Sequence, residues 1–314
     1  MIYTCTLNPS LDYYMEGQQE LEPGKLNRSQ LEYYEAGGKG INVSIVLNNL
    51  GIPSRAFGFL GGFTKDFYIS LLAKYEFILP NFTYTSGNTR INVKLHAGQT
   101  ETDVNAAGPY VTDADMRNLR EKVSRLDKGD YLILAGNTQP YLKDDVRDML
   151  EEAVKKDVRI CLDSDPDLVR QVIGAGVFLL KTTPEELNRM IDQKCESEEE
   201  ILAGAVKLHS LGAENVLVVI DNRMALIVCP TGCFTASLEQ EKKAIYTLGT
   251  GDSLVAGFIM DFLRSKDPVD SFRFGCSCGS ATAYSRGLAT REKIDSFYEK
   301  TDVSEVQPPE GTVL

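Results

Sequence analysis

The 314 residues are 43% hydrophobic, enough to bury one large core, so a single principal domain over residues 1–314 is the expectation. With 45 acidic against 33 basic residues the formal charge is -12, which repels polyanions over most of the surface and argues against nucleic acid or an anionic membrane as the main partner. A small anionic substrate held in a local basic pocket stays compatible with that balance.

The chain opens on an apolar run of strand length, Ile2 to Leu7. It ends in Thr6-Leu7-Asn8-Pro9-Ser10-Leu11-Asp12, which delivers Asp12 beyond the carboxyl end of the strand. Ligands of open parallel sheets bind at that edge, where an aspartate either grips sugar hydroxyls or simply forms a turn. Residues 13–35 are polar and lack a helical period. Next comes Ala36-Gly37-Gly38-Lys39-Gly40-Ile41-Asn42-Val43, a glycine-rich turn opening the apolar helix Gly40 to Asn49. It is not a P-loop, because the lysine lies between glycines and no Ser or Thr follows it for the metal. Its backbone N–H groups, the Lys39 ammonium and the Asn42 amide can bind oxygens, although a tight strand-to-helix turn explains the glycines equally.

A strand at Ser54 to Phe59 and a helix at Lys65 to Tyr75 follow. A second polar stretch, 83–105, then carries Arg90-Ile91-Asn92-Val93-Lys94-Leu95. With 13–35 it reads as a small sheet that closes over a ligand, or as ordinary surface hairpins. Helices at Asp113 to Leu126, Lys143 to Lys155 and Ser197 to Leu211 alternate with strands at Tyr131 to Ala135, Arg159 to Leu162, Val177 to Leu180 and Val216 to Ile220. That alternation predicts a mostly parallel sheet covered on both faces.

The sharpest local feature is Leu248-Gly249-Thr250-Gly251-Asp252-Ser253, directly before the helix Asp252 to Leu263. A glycine turn feeding a helix aims several N–H groups and the positive end of the helix dipole at one point, which suits a phosphate whose charge shifts during transfer. Asp252 stands in the first turn, as a base facing that point or as a plain helix cap. A last helix covers Ser271 to Arg286, and Gln307-Pro308-Pro309-Glu310-Gly311 reads as a frayed end. Seven cysteines without paired spacing read as reduced, mostly buried thiols, and His96 and His209 lie outside every motif. With no leader-like start and no run of about 18 apolar residues, a soluble, cytoplasmic protein is expected.

Taken in order, Asn8 to Asp12, Asn27-Arg28, Gly37 to Val43, Thr89-Arg90-Ile91-Asn92-Val93, Gly108-Pro109 and Gly249 to Ser253 closely resemble the PfkB group of ribokinase-like carbohydrate kinases. The resemblance implies a ribokinase-like three-layer α/β/α sandwich with a mostly parallel sheet and a small β-sheet lid made of segments 13–35 and 83–105. It implies Asp252 as catalytic base, with Gly249, Thr250 and Gly251 as an anion hole. Asp12, Gly37, Gly38 and Asn42 are implied to hold the sugar, and Lys39, Arg90 and Arg28 its existing phosphate. Lys181, Glu186, Asp221, Arg223 and Leu248 join the glycine turn on the ATP side, with Glu186 reaching Mg²⁺ through water. The wording is nearest to kinases of ketohexose phosphates, with fructose 1-phosphate foremost and tagatose 6-phosphate as the alternative. A homodimer through the lid is also implied.

The chain departs from that group in two places. Thr183 stands where Lys-Pro-Asn-x-x-Glu-Leu has its asparagine, although Lys181 and Glu186 are kept. Val219-Ile220-Asp221-Asn222-Arg223-Met224-Ala225 replaces both glycines of the usual nucleotide loop, which opens a second reading as a catalytically weak relative that binds sugar phosphate. Asp163, in Cys161-Leu162-Asp163-Ser164-Asp165, matches a family aspartate near the nucleotide end of the sheet, but a strand-end cap would look the same, so it stays outside the expected site.

Overall fold

A computed structural model describes residues 1–17, 19–98, 100–221, 223–238, 244–245 and 248–308. The chain begins with strands β1 (Ile2–Thr6), β2 (Ser10–Gly17) and β3 (Leu31–Gly37), helix α1 (Lys39–Asn49), β4 (Ser54–Gly61) and α2 (Gly62–Leu72). Four short strands follow, β5 (Ile78–Pro80), β6 (Thr83–Thr85), β7 (Arg90–Ala97) and β8 (Thr100–Val104). Helices and strands then alternate through α3 (Asp113–Val123), β9 (Tyr131–Ala135), α4 (Lys143–Val154), β10 (Arg159–Asp163), α5 (Pro166–Val172) and β11 (Val177–Thr182). Helices α6 (Pro184–Ile191) and α7 (Glu198–Ser210) lead to β12 (Ala213–Val219), β13 (Met224–Cys229) and β14 (Gly232–Leu238). The chain closes with α8 (Thr250–Ser265), α9 (Pro268–Ala283), α10 (Arg291–Tyr298) and β15 (Thr301–Val306).

The main sheet runs β15-β14-β13-β12-β11-β10-β9-β1-β4-β5, with β6 also paired to β4. From β12 to β5 the neighbours are parallel, and β12 to β15 are joined antiparallel at one edge. Strand β9 shows why the sheet sits between two helical layers. Its Leu132 and Leu134 join one core cluster while Tyr131, Ile133 and Ala135 join the other, as the two-residue period of a strand buried on both faces requires. The first cluster packs under α3 to α7, the second under α1, α8, α9 and α10. Helix starts are fixed locally, for instance by Thr112 with Asp115 at α3 and Ser197 with Glu200 at α7, each a reciprocal cap.

A separate sheet, β3-β2-β7-β8, is the lid. Its strands occupy most of the two polar stretches, but β6 does not belong to it, because Thr83–Thr85 pairs with Phe59, Leu60 and Gly61 of the main sheet. Pairing of β2 with β7 sets Ser10 opposite Arg90, Asp12 opposite Asn92 and Tyr14 opposite Lys94. Alternation therefore turns Arg90, Asn92 and Lys94 to one face, over the carboxyl edge of the main sheet. All seven cysteines are buried and unbridged, and no helix among the described residues is long and apolar enough to cross a membrane. The tail segment read as frayed lies outside the described residues from position 309 onward.

Candidate active site

Two helices begin on glycines that carry no side-chain cap. Gly38 precedes α1 at φ 126°, and Gly249 precedes α8 in the left-handed region at φ 79°. Side chains are costly at such angles, and a neighbouring side chain would have to shift to admit one. A Cβ on Gly38 would lie 2.6 Å from Thr6 Cγ2, and one on Gly249 would lie 2.6 Å from Leu288 Cδ2. The first amides of both helices are thus left open at the rim of one cavity of about 760 Å³ between lid and sheet. Helix α8 starts at Thr250, two residues earlier than the sequence pattern predicts, which sets Asp252 in its first turn rather than at its cap.

The cavity brings together Asp12, Gly38, Lys39, Asn42, Arg90 and the segment Leu248 to Asp252. Asp252, 5% exposed, accepts a hydrogen bond from Asn42 Nδ2 at 2.8 Å. Burial pushes its carboxyl up to about 6, helped by the charge of Asp163 and opposed by the Asn42 bond, Lys39 and Lys181. A carboxylate raised into that range is suited to take a proton near neutral pH. Asp12 accepts from Ser10 Oγ at 2.7 Å and Asn92 Nδ2 at 2.9 Å, and burial raises its pKa against those bonds and the charges of Lys94 and Arg90. Gly37 lies behind it, outside the cavity lining, since any side chain there would overlap the Asp12 carboxylate.

Arg90 spans two loops, donating from Nη2 to the Asn8 carbonyl at 2.9 Å and from Nη1 to the Ala106 carbonyl at 3.1 Å. Its Nε is buried without a protein partner, as is Thr6 Oγ1 below the first glycine turn. Such orphaned groups beside a cavity await a ligand or water. Lys39 has its partners elsewhere. Its Nζ donates to Asp163 Oδ1 at 3.1 Å, and the charges of Asp252 and Glu186 also act on it, which sets it at the Asp252 end of the cavity. Arg28 is not brought to this cavity at all; it sits exposed on the loop between β2 and β3, which no core contact pulls inward.

Asp163 is the residue that sequence reasoning left out. It ends β10, lines the cavity and holds Lys39 together with Lys181, whose Nζ is 3.3 Å from the same Oδ1. Glu186 and Thr183 form a reciprocal cap on α6, with Thr183 N donating to Glu186 Oε2 at 3.0 Å and Glu186 N to Thr183 Oγ1 at 3.3 Å. Position 183 is therefore a helix cap, where threonine substitutes well for asparagine.

Beyond Thr250 a second, much narrower cleft of about 30 Å³ opens between β12, β13 and α9. Asp221, Arg223, Met224, Leu254 and Cys276 line it, and Thr250 lines both spaces. The altered loop is closed by Asp221, whose Oδ1 accepts from the backbone N–H groups of Arg223 at 2.6 Å and Met224 at 2.8 Å. An aspartate turn thus replaces the missing glycines, and its carboxylate faces the backbone. Asn222 lies outside the described residues.

The sequence pattern of the pfkB family carbohydrate kinases matches residues 6–294. A 1-phosphofructokinase of Bacillus subtilis is 36% identical over 305 residues, covering 97% of this chain and 99% of its own. A D-tagatose-1-phosphate kinase of Bacillus licheniformis is 30% identical over 306 residues, covering 97% and 99%. Among solved structures, phosphofructokinase-2 from Escherichia coli in complex with substrates and products superposes with a TM-score of 0.89 at 25% identity, over 95% of this chain and 98% of that one.

Proposed function

The chain belongs to the pfkB family of carbohydrate kinases, and from that premise we propose that it transfers the γ-phosphoryl group of ATP to the C6 hydroxyl of D-fructose 1-phosphate, giving fructose 1,6-bisphosphate and ADP. The observation that carries this reading is the single cavity in which Asp252, Asn42, Asp12 and Arg90 meet. Asp12 and Asn42 orient the ketose hydroxyls, and Arg90 takes the resident 1-phosphate, so the reacting hydroxyl is offered to Asp252. As the C6 oxygen bonds to the γ-phosphorus, its proton passes to Asp252 and the bond to the bridging oxygen of ADP breaks. The amides of Gly249 to Gly251 and the start of α8 receive the charge on the transferring group.

The nucleotide lies along the cleft beside Thr250, with its base against the apolar side chains there and its phosphates toward Lys181. Magnesium supplied with the nucleotide keeps most of its waters and needs only one or two carboxylates. Glu186 fits that need through a water, since its charge is felt by Lys39 although its Oε2 serves the α6 cap. In this reading the tagatose phosphate that competes best is the 1-phosphate named for the B. licheniformis relative, because it keeps phosphate and reacting hydroxyl at the same two ends.

Coupled ADP release with fructose 1-phosphate, tagatose 1-phosphate, tagatose 6-phosphate and fructose 6-phosphate tests the assignment. Fructose 1-phosphate is expected to give the highest kcat/KM, and no turnover with any of the four would sink it. The pH profile of kcat/KM should fall about tenfold per unit on the acid side of about 6, where Asp252 becomes protonated, and stay flat above.

The lid also bears on assembly. Its outer face exposes Tyr34 at 37%, Ile91 at 38% and Val104 at 56%, which the register sets on the side opposite the cavity-facing Arg90 and Asn92. A homodimer joined through these faces is part of the proposal. Sedimentation is expected to give twice the chain mass, and Ile91→Lys to return it to one.

A further inference from the structure

The buried end of β10 contains an arrangement that the phosphoryl-transfer scheme above does not use. The Asp163 side chain is 2% exposed, and its Oδ1 accepts from both Lys39 at 3.1 Å and Lys181 at 3.3 Å. Its Oδ2 has no protein partner, so all its hydrogen bonding to the protein goes to these two ammonium groups. Lys39 comes from α1 and Lys181 from the end of β11, and a Cβ on Gly251 of α8 would stand 2.9 Å from Lys181 Cε. The glycine turn is thus pressed against one of the two cations.

We propose that Asp163 is a positioning residue that gathers Lys39 and Lys181 beside Asp252, so that two cations flank the phosphoryl group in transit. This deepens, and rests on, the kinase reading given above. The charge arithmetic favours it. The charged groups around Asp252 are Lys39 on α1, Asp163 on β10 and Lys181 on β11, with Asp12 of β2 lining the same cavity and the uncharged Asn42 of α1 in contact. In the resting protein two ammonium groups balance Asp163 and Asp252. When Asp252 takes the hydroxyl proton the cluster gains one net positive charge, as the phosphoryl oxygens come nearest to it. An interaction that strengthens only during transfer lowers the barrier rather than merely tightening binding. The same carboxylate keeps Asp252 basic, because its negative charge opposes ionisation of the neighbour.

Asp163→Asn separates this role from that of a plain structural brace. Two readouts are used: ¹³C NMR of the Asp252 carboxyl in the free protein, and the pH profile of kcat/KM on fructose 1-phosphate. In both, the acid midpoint is expected to move below the parent value of about 6, with kcat reduced roughly 10²-fold and the melting temperature retained. Lys39→Gln provides the opposite arm at a side chain that is 40% exposed and so tolerates replacement. There the midpoint must rise, with a comparable loss of kcat and a sugar KM within a few-fold. An unmoved midpoint in Asp163→Asn, or a loss of turnover restored by excess magnesium, overturns the proposal. If Asp163→Asn does not fold, the Lys39→Gln midpoint decides alone, and its failure to rise is equally fatal. The carboxyl titration needs no turnover, so a wrong substrate assignment leaves this test intact.

Discussion

Replacing Asp252 by asparagine is expected to lower kcat by about 10²–10⁴-fold, the usual contribution of a positioned general base, while KM for fructose 1-phosphate changes by no more than a few-fold. The substitution is nearly isosteric, and an amide oxygen can still accept the Asn42 Nδ2 hydrogen bond that holds the carboxylate now. Substrate would still be gripped through Asp12 and Arg90, so the loss should fall on the chemical step. A kcat within tenfold of the parent would remove Asp252 from the role of base.

The same variant has a second expected signature, in stability. The folded protein holds the Asp252 carboxyl near 6, against an ordinary value of 3.8, so its ionisation disfavours the fold. That penalty is absent below the unfolded pKa, grows as pH rises from 3.8 to about 6 and is complete above. It amounts to at most about 3 kcal/mol. Asp252→Asn should therefore melt higher than the parent at pH 8, with the gain fading as pH falls toward 4. A variant less stable at pH 8 would mean that pairing with Lys39 and Lys181 outweighs burial.

How far the site could be read beforehand follows from how local its determinants are. Both glycine turns were legible because their function depends on backbone freedom within a few residues, as Gly38 and Gly249 illustrate at φ 126° and 79°. The alternating apolar runs likewise marked the parallel strands. Asp163 was passed over because a strand-end aspartate is common, and its meaning comes from Lys39, 124 residues away, and Lys181, 18 away. For the same reason Lys39 reads from sequence as a ligand of the resident phosphate, whereas its hydrogen bond to Asp163 and the charge of Asp252 set it at the Asp252 end of the same cavity. Arg28 had a motif but no packing to bring it inward.

Secondary structure was missed where segments are short or where the pattern was ambiguous. Helices α5, α6 and α10 have seven or eight residues, too few for a helical period to declare itself. Their capping residues carried the usable signal, with Asp165 before Pro166 and Thr183 before Pro184. Strands β13 and β14 were also legible in principle, since Pro230-Thr231-Gly232 separates two β-rich runs that pair from Met224 with Ser237 to Cys229 with Gly232.

Arg90→Lys should produce the kinetic mirror image of the Asp252 variant, raising KM for fructose 1-phosphate roughly 10–100-fold with kcat within threefold. A guanidinium can serve two phosphate oxygens through a planar fork, and a charge-assisted hydrogen bond is worth about 1.5–3 kcal/mol, whereas an ammonium offers one compact charge. Here the fork also joins the Asn8 and Ala106 carbonyls, with Nε buried and unpartnered, so part of the residue braces the loops at the base of the lid. Fructose lacking its phosphate separates the two contributions. If Arg90 reads the phosphate, parent and variant should have the same low kcat/KM on unphosphorylated fructose, because the lost contact has no counterpart there. An equal penalty on both sugars, together with a raised KM for ATP, would instead mark Arg90 as a brace whose loss loosens the whole cavity and would return the anchoring of the 1-phosphate to Lys94, the other lid cation lining that space, now paired with Asp103 at 2.6 Å.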